Sequence, residues 1–326
     1  MDHVTVSLLG TLSDWLDIIG VAFTAFFNRF YWPYWLSAGV MALGCWIWQR
    51  RTVPEKANES LGRFLFPRTV WLHRSALLDY RFVLFDKTVL AVLVLAAGAL
   101  FPHEAAAEAM EDGVGPHIAV IAAYTIALVL VDDFCRYWAH RFMHTMPLLW
   151  QFHKVHHSAE VLVPLSQMRN HPVNGIVNLI RSGVALGVVT GIFMLLFPEK
   201  MTVLTIFGVN AGRWVFNMMG ANLRHSHIWL SFGPVLSHVF ISPAQHQIHH
   251  SKLARHIDKN FGSQFALWDW MFGSLYIPRG REELVLGISK AETERLRTVK
   301  DLYIQPIRDA AAMVRDWRNG PSRTAA

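Results

Sequence analysis

Sulfur and charge are both scarce in this chain. Two cysteines occur in 326 residues, Cys45 inside an apolar run and Cys135 far downstream. That excludes a disulfide framework, a CxxC metal site and haem attachment through CxxCH. No HExxH segment places a glutamate base between metal ligands, and no GxGxxG or GxxxxGK[ST] loop offers a phosphate cradle. The N-terminus carries Asp2, Asp14 and Asp17 where a cleavable signal peptide has a basic start. No internal repeat or low-complexity segment is present. Charged residues make up 17% of the chain, against 53% hydrophobic and 13% aromatic.

Those proportions, with a mean hydropathy of +0.27, and several long runs with few charges place the chain among integral membrane proteins. The net charge of +6 comes from basic residues that flank apolar segments, a pattern of anchoring to anionic membrane lipids and not of nucleic-acid binding. The expected fold is all-α, with four to five transmembrane helices. Spans are expected at Tyr31–Trp48, opened by an aromatic belt, then at 82–101, 117–131, 175–197 and 201–219. Residues 1–30 are an interfacial helix or a further span. The segment 50–81 holds Arg50, Arg51, Lys56, Arg63, Arg68, Arg74 and Arg81, whereas 102–116 has four acids and no Lys or Arg. Basic loops stay inside, so 50–81 faces the cytoplasm. The span from 117 and the hairpin of 175–219 then return the downstream polar segments to that same face. Arg181 and Arg213 fall within the hairpin and must face protein or the interface. From Arg279 onward the tail is polar, with amphipathic helices across Lys290–Arg318 and a break near Pro306.

What is abundant is histidine, seventeen in all. His140 and His144 stand four apart. His153, His156 and His157 form HxxHH, and the pattern returns as His246, His249 and His250. Residues three or four apart share a helix face, so each box presents imidazoles that can converge on metal. Two histidines on one face arise by chance; three boxes do not, because a core of unligated imidazoles would bury many unsatisfied polar groups. His225 is placed to complete the cluster. His171 is either a further ligand, a hydrogen-bonding partner or an interfacial residue; His227 and His238 lean toward packing roles. Asp132 and Asp133 end a span just before the first box. They are either interfacial caps or carboxylates that orient a ligating imidazole. Eight or more imidazoles exceed what one tetrahedral zinc needs, and the scarcity of carboxylates does not fit soluble di-iron bundles.

The boxes and their surroundings resemble the fatty acid hydroxylase/sterol desaturase superfamily of membrane non-haem di-iron enzymes. Asp132–Arg141 is similar to the lead-in and start of its first box, and His153–Ser158 to its second. Asn260-Phe261-Gly262 with Trp268-Asp269-Trp270-Met271-Phe272-Gly273 is similar to its closing signature. The resemblance covers roughly residues 120–280. It implies a catalytic region at 116–280, preceded by a transmembrane or interfacial region at 1–115 and followed by a cytosolic tail at 281–326. It implies a cytosolic helical cap holding two iron ions, with zinc as a substitute on purification. The ligands by position are His140, His144, His153, His156, His157, His225, His246, His249 and His250. Members often carry a further histidine near the one matched to His225; here those positions are Ala221 and Asn222. The tenth ligand is then His171, His227 or absent.

The implied activity is hydroxylation or desaturation of a C–H bond of a fatty acyl, sterol or polar membrane lipid, using O2 and two electrons. The HisProGlyGly motif of an appended haem carrier is absent, so electrons come from a separate donor, of ferredoxin or haem-carrier type with its reductase. A multi-pass protein of a bacterial inner membrane is expected before one of the endoplasmic reticulum. Competing classes are a membrane zinc-dependent hydrolase, whose activity needs no O2, and a histidine-rich metal transporter or sensor, which would carry ligating residues inside its spans.

Overall fold

The computed structural model describes residues 30–100, 118–198 and 209–319. The expectations for residues 1–29, the acidic segment 102–116, the turn at 199–208 and the Arg213 side chain fall outside what is described. Among the described residues the fold is helical. Its β structure is limited to two isolated bridges, Phe240 with Phe265 and Ser251 with Leu286.

The helices that position the site are α1 (Trp32–Thr52), α2 (Arg74–Leu100), α3 (Ile118–Thr145), α4 (Pro147–His157), α5 (Pro172–Leu196), α6 (Val209–Met218), α7 (Pro243–His249), α8 (Leu267–Met271) and α9 (Val299–Asn319). Proline sets several starts. Pro147, Pro172 and Pro243 each occupy the first turn of their helix, where a missing N–H costs nothing and φ is already helical. Ser242 caps α7 by accepting from the Gln245 N–H. The Gln245 side chain reaches back to the Ser242 N–H at 2.9 Å, closing a capping box.

Two described helices, α3 and α5, are long and apolar enough to cross a membrane. They pack side by side. Tyr124 Oη and Thr190 Oγ1 are 2.8 Å apart, the Tyr124 ring meets Phe193 edge-on, and Arg181 donates to Asp132 Oδ1 at 2.6 Å. Arg181 thus faces protein, as its cost in lipid demands. Outward, Leu179 and Leu195 are 73% and 84% exposed, which in water would be an unfavourable apolar stripe and in a bilayer is ordinary lipid contact. Helix α3 continues unbroken from its apolar run through the first histidine box. The chain is therefore membrane-associated, with helices over the three further expected spans or parts of them. Helix α2 starts earlier than the sequence suggests, at Arg74, and α6 covers 209–218 of the last expected span.

The tail is not a loose appendage. Leu302 of α9 is fully buried with Leu78 and Phe82 of α2 and Val155 of α4. Lys154, 2% exposed, donates to Asp309 Oδ2 at 2.9 Å and Glu292 Oε1 at 3.1 Å. The sequence places a helix break near Pro306, but Pro306 lies inside α9 and the break falls at 295–298, between Lys290–Glu294 and α9. The loss of one backbone bond at the proline is tolerated because the helix is anchored by its packed face.

Candidate metal centre

Nine of the ten candidate histidines come together, in two groups. His140, His144, His153, His157 and His249 form one; His156, His225, His246 and His250 form the other, and within each the nearest ring nitrogens lie within 4.8 Å of one another. Both groups are made of histidine alone among the described residues.

The division follows helix geometry. Box two gives its i, i+4 pair, His153 and His157, to the first group and His156 to the second. Box three does the reverse, giving His246 and His250 to the second group and His249 to the first. Residues at i and i+4 share a face, and i+3 is rotated toward its flank, so each HxxHH segment serves two centres at once. The first box adds a pair to the first group and His225 a single ring to the second. His157 and His250 stack with centroids 4.5 Å apart, joining the groups.

The donor set fits metal. In the first group Nε2 of His144, His153, His157 and His249 is buried without a hydrogen-bond partner, a costly arrangement unless a ligand fills it. In the second, Nε2 atoms approach each other: His156 to His225 at 3.2 Å, His225 to His246 at 3.3 Å, and His246 to His250 at 3.2 Å. One nitrogen carries at most one proton, so at most two of these three contacts in a row can be N–H···N bonds. Metal–nitrogen bonds of about 2.1 Å at tetrahedral or octahedral angles put neighbouring donors about 3.0–3.4 Å apart, the spacing seen. Burial first, then the neighbouring imidazoles, hold His153, His157, His246 and His250 well below the usual 6.5, and His249 likewise. Burial followed by the charge of His140 takes His156 to about 3. These rings are neutral at pH 7, the form that binds metal.

Two rings are oriented by backbone carbonyls. His140 Nδ1 donates to Phe261 O at 2.7 Å and His249 Nδ1 to Lys259 O at 2.9 Å. A carbonyl only accepts, so in a neutral ring Nε2 is left bare and turned toward the cluster. The closing signature builds the loop that carries these carbonyls. Asn260 sits at φ 56°, donates to Gln245 O and Tyr276 O, and accepts from the Tyr276 N–H. Asp269 accepts from the N–H groups of Phe261 and Gly262 at 2.8 and 2.7 Å and from Ser274 Oγ at 2.6 Å. Burial raises Asp269 to about 6 although these donors pull it down. A Cβ at Gly262 would lie 2.5 Å from Phe265 O, so only glycine fits there.

The acids before the first box serve other bonds. Asp133 accepts from the N–H groups of Gln264 and Phe265, both at 3.0 Å, and from Trp268 Nε1 at 3.1 Å, so it too holds the carbonyl-bearing loop. Asp132 is engaged by Arg181 and Arg136. For His140 and His249 the orienting role, one of the two alternatives for these carboxylates, is taken by main-chain carbonyls.

His171 stands outside both groups. Its Nδ1 accepts from the Val173 N–H at 3.2 Å, capping α5, and its Nε2 donates to Tyr303 O at 3.0 Å. Both nitrogens are used. His227 Nε2 donates to Phe64 O, and His238 Nδ1 to Pro234 O.

A cavity of about 470 Å³ reaches the cluster beside His140, His153, His156, His225 and His246. A second, of about 350 Å³, meets His144, His157, His249 and His250 from the side of the tail, next to Trp150. Among the polar residues of the larger cavity, Gln167 and Asn174 belong to no sequence motif, and Arg136 lies within the lead-in to the first box without a role that the motif assigns it.

The fatty acid hydroxylase family model matches residues 125–274, the span that holds all nine clustered histidines. An alkylglycerol monooxygenase of Danio rerio is 30% identical over 157 residues, covering 48% of this chain and 31% of the relative. The ornithine lipid hydroxylase OlsE of Rhizobium tropici is 30% identical over 174 residues, 51% of this chain and 46% of the relative. A Delta(7)-sterol 5(6)-desaturase, ERG3A, of Gibberella zeae is 28% identical over 151 residues, 46% and 37%. The chain thus spans less than half the length of these relatives. No solved structure matches it. Box pattern, closing signature and matched region agree, and together they support the resemblance of residues 125–274 to the fatty acid hydroxylase/sterol desaturase superfamily.

Proposed function

We propose that this protein is a membrane-bound non-haem di-iron oxygenase that hydroxylates or desaturates a C–H bond of a membrane lipid. The observation that carries the reading is the partition of nine imidazoles into a group of five and a group of four. One centre would be held by His140, His144, His153, His157 and His249, the other by His156, His225, His246 and His250. Iron bound there would supply the activation of O2. For hydroxylation, one oxygen atom enters the C–H bond and the other leaves as water, with two protons and two electrons consumed. For desaturation the same inputs remove two hydrogen atoms and give two waters. The electrons come from a separate carrier protein, of ferredoxin or haem-carrier type with its reductase.

The chain's own part is to bind, orient and exclude. The carbonyls of Phe261 and Lys259 fix two imidazoles in one tautomer. Burial keeps the rings of boxes two and three neutral. The lipid-facing sides of α3 and α5 hold the chain where a lipid can reach the cavity beside His140 and His156. The basic segment 50–81 supports a multi-pass topology with the histidine cap on the cytoplasmic side. Names among the relatives include a monooxygenase, a hydroxylase and a desaturase, so both outcomes lie within the reading.

A zinc hydrolase is less well supported. Five histidines in one group exceed a four-coordinate zinc site, and neither group includes a glutamate to act as base. The test is metal content and oxygen dependence in the detergent-purified protein. Iron in both centres, with lipid oxidation only under O2, supports the proposal. Zinc alone, with O2-independent turnover, overturns it.

A further inference from the structure

Resting on that oxygenase reading, we infer that the oxidised C–H bond lies in or beside the polar end of a membrane lipid, within its headgroup or its backbone linkage, and not in a sterol ring or the middle of an acyl chain. Two independent observations carry this.

The first is the chemistry of the polar residues that line that cavity beside the histidines, together with Met143, Met168 and Pro172. Arg136, Gln167, Asn170, Asn174, Asn178 and Arg224 all line it. Several of their polar atoms are unspent. Arg136 Nε is buried without a partner. Asn174 is 3% exposed; its Nδ2 makes two long contacts of 3.4 Å, to His153 Nδ1 and Asn170 Oδ1, and its Oδ1 accepts from no described residue. The Gln167 side chain makes no hydrogen bond with any described residue, although its main-chain carbonyl accepts from Asn170. A hydrocarbon segment pressed against these groups would leave them buried and unpaired. An ester, ether, amide, carboxylate or phosphate would pair with them.

The second is depth. The apolar run of α3 ends at Val131, and His140 follows nine residues later on the same helix. At 1.5 Å per residue that puts the nearest ligand about 13 Å along the axis beyond the apolar run. A lipid standing in its leaflet presents its headgroup and backbone linkage at that level. Its mid-chain carbons stay beside the exposed leucines of α5, among them Leu179 and Leu195.

The experiment uses the full chain, iron-loaded in membranes of the expressing cell, with reduced ferredoxin and its reductase as electron source. Products formed with and without O2 are fragmented by tandem mass spectrometry, and lipids retained on the purified protein are identified by native mass spectrometry. The expected result is one added oxygen atom that remains with the headgroup or backbone fragment. In Gln167→Leu the KM for that lipid rises about tenfold, its retention falls, and iron content stays at the wild-type level. An added oxygen or a new double bond in the acyl fragment or in a sterol overturns this inference while leaving the oxygenase reading intact. Oxidation of the headgroup with unchanged KM and retention in Gln167→Leu and in Asn178→Leu overturns the assigned wall. Bound iron with no O2-dependent lipid product overturns the oxygenase reading, and the inference falls with it.

Discussion

His249 Nδ1 lies 2.9 Å from the carbonyl oxygen of Lys259, and two residues on, the carbonyl of Phe261 receives His140 Nδ1 at 2.7 Å. Asn260 stands between these two acceptors in the left-handed region, at φ 56°. Asparagine tolerates that conformation better than most residues, and its amide ties the turn to Gln245 and Tyr276. One side chain therefore sets the direction of two carbonyls, which set two imidazoles of the five-histidine group.

Asn260→Ala is expected to lower stability by about 2 kcal/mol or more, through lost buried bonds and a strained φ. Metal should be lost from the five-histidine group before the other. Asn260→Gly relieves the strain but not the lost bonds, and should fall between. Thermal denaturation in detergent with metal analysis checks this; equal metal content in all three proteins would remove the orienting role.

The partition of the boxes makes a sharper prediction. His156 serves the four-histidine group although both its box partners serve the other, and His249 is the converse. His156→Ala and His249→Ala should each lower metal content by about one ion per chain, from different centres. The double variant should lose about two. If either single variant removes all metal or none, the two-group assignment is wrong.

Much of this site was legible in the sequence because repetition is a signal that chance does not produce. HxxxH and two HxxHH segments pick out eight of the nine clustered histidines, and His225 follows from its place after the last span. Which ring serves which centre was not legible. That needs the angle at which α4 and α7 meet, and the sequence carries no mark of it. The orienting groups were hidden for a different reason: every residue has a carbonyl, so Lys259 and Phe261 could not announce themselves. Asp132 and Asp133 drew attention as carboxylates near a ligand box, yet Asp133 works on the backbone of Gln264 and Phe265. In the sequence His171 is open between a further ligand, a hydrogen-bonding partner and an interfacial residue, and the structure takes the second. Its neighbour Pro172 marks a helix start, and the ring serves as the cap.

The metal-free protein should weaken as the solution is acidified. His156 titrates at about 3 in the folded chain against 6.5 when unfolded, with burial the main cause, and the other five buried rings of boxes two and three are displaced in the same direction. Between those values the unfolded state binds more protons, so stability is present above pH 6.5 and is lost as pH falls through the interval. Each such histidine adds up to about 1.4 kcal/mol per pH unit. The melting temperature of the metal-free protein should therefore drop between pH 7 and 5, and less so in His156→Ala. A flat profile would contradict the neutral, buried state of these rings.

Lys154 gives the last prediction. It stands between two residues of the histidine helix, 3% exposed at its side chain, with Glu292 and Asp309 as its anionic partners and Gln151 Oε1 at 2.6 Å. Removing both acids in Glu292→Ala/Asp309→Ala strands a buried cation next to His153, and should cost about 3 kcal/mol or more. Lys154→Met removes the charge itself, keeps the stem packed, and leaves Asp309 to Arg295 and Gln305; it should be the milder change. The comparison separates a tail held by a charge from one held by packing, because Leu302 stays buried in both variants. Chemical denaturation of the two proteins decides it: equal loss in both would mean the apolar contacts of α9 carry the attachment alone.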